Sequence, residues 1–169
     1  MVRIGVDAGL WKAAREHLDG CAERVGFFLA DWSPVESSFA VRSWWPIDDT
    51  AAADRDQLHV SLSDETRSAV IQWAWVEDAC LIEAHSHGSW APAAFSHFDL
   101  GNLDEWVSHL WWRLGGRPYA AIVTSTLDFD GLAWIDGPGN AEQVEGIAAG
   151  TFSRATGATR SFEGRSGDG

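Results

Sequence analysis

The sequence predicts an α/β (α+β) domain in which a sheet is covered by helices. Three observations carry this reading. An apolar fraction of 46% over 169 residues is enough for one hydrophobic core and short for two. Short apolar or alternating runs are interspersed with amphipathic stretches, which is how sheets acquire helical cover. Residues suited to open a helix, Asp7, Ser63 and Ser96, stand just before those amphipathic stretches.

In order, residues 2–6 form a short strand, and Asp7 caps a helix from Ala8 to about Leu18 with Gly20 just beyond it. Residues 23–30 (Glu-Arg-Val-Gly-Phe-Phe-Leu-Ala) read as a buried strand opened by two charges, and residues 38–45 alternate as another. Residues 46–56 are acidic, Ala-rich and without period, and are assigned to a loop; residues 57–62, with His59, form a strand. Ser63 then opens a helix whose first turn holds Asp64 and Glu65, where negative charge suits the helix dipole, and whose Val70, Trp73 and Ala74 share a face. Residues 79–87 are a strand, 88–95 a loop, and 99–114 a helix ended by Gly115-Gly116. Residues 119–126 are a continuous apolar strand of the buried kind, and 131–135 one more. From Gly137 the chain turns Gly-, Ala- and Ser-rich, which predicts a domain over 1–136 and a tail over 137–169 with a short helix at 141–149 and a disordered end.

Twelve basic against 25 acidic residues give a net charge of −13, which disfavours nucleic acid and anionic membrane as partners. Eleven tryptophans are enough to build core and still leave some for a contact surface. Two cysteines, Cys21 and Cys80, cannot make a disulfide framework or a Cys-based zinc site, and buried thiols in a reducing compartment are the simpler expectation. The opening Met-Val-Arg-Ile-Gly-Val-Asp lacks the apolar segment of a signal peptide, and no run approaches a membrane span, so a cytoplasmic location is expected.

The chemistry is concentrated in Ala84-His85-Ser86-His87-Gly88 and in Ser96-His97-Phe98-Asp99. Alternate residues of a strand point the same way, so Glu83, His85 and His87 share a face and both histidines can reach one ion. Asp99, at the start of the following helix, supplies a third ligand. Two histidines and one aspartate leave a fourth position open, the pattern of catalytic zinc. Such a site needs a general base, for which Glu23 at the head of a buried strand is the first choice and Glu83 the rival. It also needs a donor to the developing oxyanion, and Ser96 is placed for that. A structural reading stands beside this one: Ser96-x-x-Asp99 before an apolar helix has the form of a capping box. His17, His59, His97 and His109 are not expected as ligands.

Taken together, Glu23, His85-Ser-His87 and Ser96-x-x-Asp99 resemble the signature of the JAB/MPN metalloproteases with a JAMM motif, and residues 119–125 resemble a late core strand of that family. The resemblance runs through residues 1–136. It implies a cytidine-deaminase-like fold with a central mixed sheet flanked by helices. It implies Zn2+ held by His85, His87 and Asp99, Glu23 as base and Ser96 as oxyanion donor. The implied reaction is cleavage of an isopeptide or peptide bond after the C-terminal glycine of a ubiquitin-like protein. Compact members of this kind are associated with ubiquitin-activating-like and conjugating-like enzymes, including in anti-phage systems. Two departures stand out: Gly88 replaces the usual proline, and the spacer of eight residues, 88–95, is longer than the usual roughly seven.

For substrate contact the candidates are Trp44, Trp45, Trp90 and the acidic loop with Asp48, Asp49, Asp54 and Asp56. An acidic rim of that kind would suit a basic tail. The competing functions are a catalytically silent MPN-type interaction scaffold, a metal-binding sensor or small-molecule amidase, and a zinc deaminase. The last requires a Pro-Cys-x-x-Cys that the chain lacks.

Overall fold

The computed structural model describes residues 1–20, 22–48, 52–54, 61–88 and 91–160. Cys21, Asp49, Asp56, His59 and Trp90, and the residues from 161 on, lie outside the described residues. The elements are β1 (Val2–Gly5), α1 (Ala8–Leu18), β2 (Val25–Ser33), β3 (Ser38–Pro46), β4 (Ala52–Asp54), β5 (Ser61–Leu62), α2 (Asp64–Val76), β6 (Cys80–Ser86), α3 (His97–Arg113), β7 (Tyr119–Thr124), β8 (Phe129–Trp134), β9 (Ala141–Ala149) and β10 (Thr151–Arg154).

The helices start where side-chain caps supply acceptors for otherwise unpaired N–H groups. Asp7 accepts from Gly9 and Leu10, and Ser63 accepts from Thr66. The sheet is mixed, with strand order β1-β3-β2-β6-β7-β8-β9-β10. Its two ends meet, because β1 pairs in parallel with β3 on one side and with β9 on the other. Seven strands therefore close into a barrel, and β10 hangs on β9 as an antiparallel extra.

This closure corrects the expected cytidine-deaminase-like JAB/MPN architecture of a central sheet flanked by helices. It also corrects the short helix expected at 141–149, which is strand β9. The segment reads poorly as a strand because only Val144 and Ile147 are β-branched. Its conformation is set by its neighbours instead: residues 141–143 pair with β8, and 144–148 pair with β1. The expected acidic loop at 46–56 holds β4, which pairs with β5, the described remnant of the strand expected at 57–62.

Two buried clusters follow from the closure. One takes side chains from every strand of the ring, among them Val2, Phe28, Phe39, Ile82, Ile122, Ala133 and Ile147, together with Ala14 and Leu18 of α1. It is the barrel interior, with α1 packed against it. The other joins Phe27, Leu29, Leu81, Tyr119, Val123 and Leu132 on the opposite face to Val70, Ile71 and Ala74 of α2 and Leu103, Val107 and Leu110 of α3. Trp44 lies tilted against Phe28 with ring centroids 4.4 Å apart and Trp45 packs edge-on against Trp73 at 5.4 Å, so each is a partly buried ring packed on one of the two clusters. No helix among the described residues is long and apolar enough to cross a membrane.

Candidate metal centre

The site lies on the outer face of β6, where the start of α3 crosses it. Along β6 burial alternates as the period of a strand requires: Ile82, Ala84 and Ser86 are buried, while Glu83, His85 and then His87 are partly open on the other face. The strand is held on both sides. Val25 and Val123 flank His85 in register, the His87 N–H donates to the Thr124 carbonyl at 2.9 Å, and the Ser86 N–H donates to the Arg24 carbonyl at 2.9 Å. The two imidazoles are thus fixed by backbone pairing, with ring centroids 5.0 Å apart.

Asp99 arrives from the first turn of α3. Ser96 is the N-cap: its hydroxyl accepts from the Asp99 N–H at 3.1 Å, and the Asp99 carboxylate accepts from the Ser96 N–H at 2.7 Å and from the Ser96 hydroxyl at 2.6 Å. The capping box therefore forms, and it aims Asp99 at the histidines. One carboxylate oxygen lies 3.7 Å from His85 Nε2 and the other 3.1 Å from His87 Nε2. Ligand atoms of His85, His87 and Asp99 all lie within 4.8 Å of one another, so the three form a group that could hold a metal ion.

Two features fit such an ion. Both ring nitrogens of His85 are buried without a hydrogen-bond partner, which is costly unless something else satisfies them. The donor set, two imidazole nitrogens and a carboxylate oxygen, suits a borderline divalent cation. The electrostatics agree. Burial disfavours a charged His85, yet the facing carboxylates of Asp99 and Glu83 raise its pKa to about 10. Burial likewise opposes ionisation of Asp99, but His85, His87 and the Ser96 hydroxyl hold its carboxyl well below the usual range. The carboxylates thus favour positive charge at this point, whether a proton on His85 or a cation.

A cleft of about 160 Å³ opens on the group. Glu23, Glu83, His85 and Asp99 line it together with Arg67 and Asn102, and Val25, Leu62, Phe98, Leu103 and Trp106 form its apolar wall. Glu23 thus shares a cavity with two of the three expected ligands, as does its rival Glu83. Glu83 faces His85 Nδ1 at 3.6 Å and accepts a hydrogen bond from the Tyr119 hydroxyl at 2.8 Å. The Ser96 hydroxyl hydrogen is directed at Asp99, so reaching a substrate oxygen requires it to change partner. His97 and His109 are exposed and outside the group, and His17 is bound to the Val25 carbonyl at 3.0 Å. Burial pushes the Cys80 thiol up to about 11, which suits a packed thiol and not a nucleophile.

Gly88, where the resemblance expects proline, has φ +59°, a backbone conformation closed to proline. The eight-residue spacer is therefore accompanied by a different turn out of β6. Sequence reasoning did not single out Tyr119, Trp106, Arg67 or Asn102. The one available signal was a tyrosine hydroxyl inside an otherwise apolar strand, which must find a polar partner.

No protein-family model matches the chain, and no curated protein matches it. Among solved structures, the solution structure of protein DSY2949 from Desulfitobacterium hafniense is similar, with a TM-score of 0.56 at 13% identity over 88% of this chain and 92% of that one. A likeness at that identity is one of fold. The JAB/MPN resemblance rests on the motif residues themselves.

Proposed function

We propose that the protein is a zinc-dependent hydrolase of amide bonds, acting as an isopeptidase or peptidase after the C-terminal glycine of a ubiquitin-like protein. The observation that carries the proposal is the convergence of His85, His87 and Asp99, two of which, His85 and Asp99, line a cleft that Glu23 also lines. The choice of zinc follows from the mixed nitrogen and oxygen donor set, and the ubiquitin-like substrate follows from the motif's resemblance. A family role beside ubiquitin-activating-like and conjugating-like enzymes, including in anti-phage defence, belongs to the same proposal.

A zinc ion bound there would supply Lewis-acid activation of water and of the scissile carbonyl. The chain supplies the rest. His85 and His87 would hold the ion from the strand, and Asp99 would hold it from the helix. Glu23 takes the proton of the attacking water and delivers it to the leaving amine. Ser96 first orients Asp99 and then, on releasing it, can donate to the carbonyl oxygen as charge develops. Leu62, Leu103 and Trp106 give the cleft an apolar wall against which the apolar part of a substrate would lie.

Metal analysis of the purified protein, paired with cleavage of a ubiquitin-like fusion, tests this reading. Glu23→Gln should keep zinc and the fold while lowering turnover by on the order of 10²-fold or more. His85→Ala should lose both zinc and turnover. Turnover abolished by Glu83→Gln with zinc still bound, but retained in Glu23→Gln, would reassign the base. A second reading, a protein-interaction scaffold without turnover, draws on the complete capping box, which gives Ser96 and Asp99 a structural task. Protein that binds zinc and cleaves nothing would favour it.

A further inference from the structure

We propose that Tyr119 is a positioning residue for the metal centre: its hydroxyl, oriented by Trp106, holds Glu83 so that the carboxylate faces the Nδ1 side of His85 and leaves Nε2 for the ion. The inference rests on the metal-binding reading of His85, His87 and Asp99.

The direction of the relay follows from chemistry. The indole Nε1 of Trp106 lies 3.1 Å from the Tyr119 hydroxyl oxygen. An indole N–H only donates, so the tyrosine oxygen must accept there, and its own hydrogen is free to point elsewhere. It points at Glu83 Oε2, 2.8 Å away. That oxygen is thereby an acceptor. The other oxygen, Oε1, lies 3.6 Å from His85 Nδ1. At 3.6 Å this is a carboxylate facing the ring and not a hydrogen bond, but negative charge on that side favours hydrogen on Nδ1, and so a lone pair on Nε2, once an ion takes Nε2. Nε2 is the nitrogen on the Asp99 side, 3.7 Å from its carboxylate.

The packing makes each member stiff. Tyr119 is 2% exposed and opens β7, whose register with β6 sets Tyr119 beside Leu81 and Ala121 beside Glu83. Its hydroxyl therefore reaches along the face that carries Glu83 and His85. Phe95 closes the other flank of His85, edge-on at 5.5 Å. A phenol in the middle of a buried apolar cluster is costly to keep unless its hydroxyl is used. Here the use is a carboxylate that stands between the Tyr119 hydroxyl and His85. Trp106 also lines the cleft, and Arg67 lies over its ring at 5.5 Å, so the relay begins at the substrate wall and ends at a metal ligand.

The experiment measures zinc affinity by chelator competition in the full chain, for wild type, Tyr119→Phe and Glu83→Gln. The melting temperature is recorded with and without zinc, and the ring nitrogens of His85 are observed by NMR in the zinc-loaded protein. Tyr119→Phe should weaken zinc binding about 10- to 100-fold, reduce the melting-temperature gain from zinc, and loosen the Nδ1–H form of His85. A merely structural tyrosine would lower the melting temperature equally with and without zinc and leave the affinity unchanged; that result overturns the proposal. Should Tyr119→Phe fail to fold, Trp106→Phe decides: a smaller loss of zinc affinity supports the relay, and wild-type affinity overturns it. Wild-type protein that binds no zinc overturns the metal reading and the relay together, whereas wild-type binding with an unaffected Tyr119→Phe overturns the relay alone.

Discussion

Asp99 serves α3 and the metal group with the same carboxylate. It accepts from the Ser96 N–H and hydroxyl as the third residue of a capping box, and it faces both histidines. Because a proton on His85 and a metal ion compete for one place, pH must separate them. In protein stripped of metal, the folded-state pKa of His85 is about 10 against an ordinary 6.5. A raised pKa contributes stability that is complete below the ordinary value and is lost as pH rises through the raised one. The stripped protein should therefore melt at lower temperature at pH 10 than at pH 6.5, and zinc affinity should climb across the same interval. Melting curves and chelator titrations at the two pH values check both expectations; a stripped protein indifferent to pH in that window would contradict them. At this scale much could be read in advance. The shared face of Glu83, His85 and His87 followed from the period of a strand, and the capping box from its spacing. The Tyr119 contact could not be read, because it joins residues 36 apart whose meeting depends on which strand lies beside which.

At the scale of elements, α1 runs over the residues expected and α2 begins at the expected cap, while α3 begins at His97, two residues before the expected Asp99, because the Ser96 cap decides where it starts. β9 was missed because its composition of small and polar residues carries no local strand signal, while the partners that make it a strand lie far off in sequence. The same smallness is what lets it fit. A side chain at Gly146 would run into the Ser153 carbonyl and the Phe152 ring of β10. Gly146→Ala should therefore cost about 1–3 kcal/mol through forced movement of backbone, read as a lower denaturation midpoint, with no direct effect on the histidines. A wild-type midpoint would mean that β10 does not press on β9 in solution. Gly26 makes the corresponding case on β2, where an added Cβ would enter the Trp44 ring.

At the scale of the molecule, one buried carboxylate fastens the chain beyond β10 to the barrel. Asp130, in β8, is fully buried and accepts from the N–H groups of Gly131, Gly157 and Thr159, from Gln143 Nε2 and from the Thr159 hydroxyl. Thr159 in turn accepts from the Phe95 N–H at 3.1 Å, one residue before the cap of α3. Thr156 donates to the Ala93 carbonyl at 2.7 Å in the same loop. Asp130→Ala would strand several donors and should cost on the order of 3 kcal/mol or more. It should also raise hydrogen exchange at Phe95 and in the first turn of α3; exchange confined to residues 156–160 would show that the tie does not reach the metal side. The barrel's closure was not legible in sequence, since ring formation is a property of all seven strands and no one segment announces it.

The tie through Thr159 has a consequence for biosynthesis. When a nascent chain has emerged from the ribosome only as far as β8, Glu23, His85, His87 and Asp99 are already made, but the residues that brace the stretch between the second histidine and the aspartate are not. Tight capture of a cation would then be delayed until the strand at 141–149 has zipped against the first one and the threonines at 156 and 159 have locked in place. Assembly of the candidate metal group would then wait on residues made after all three of its side chains.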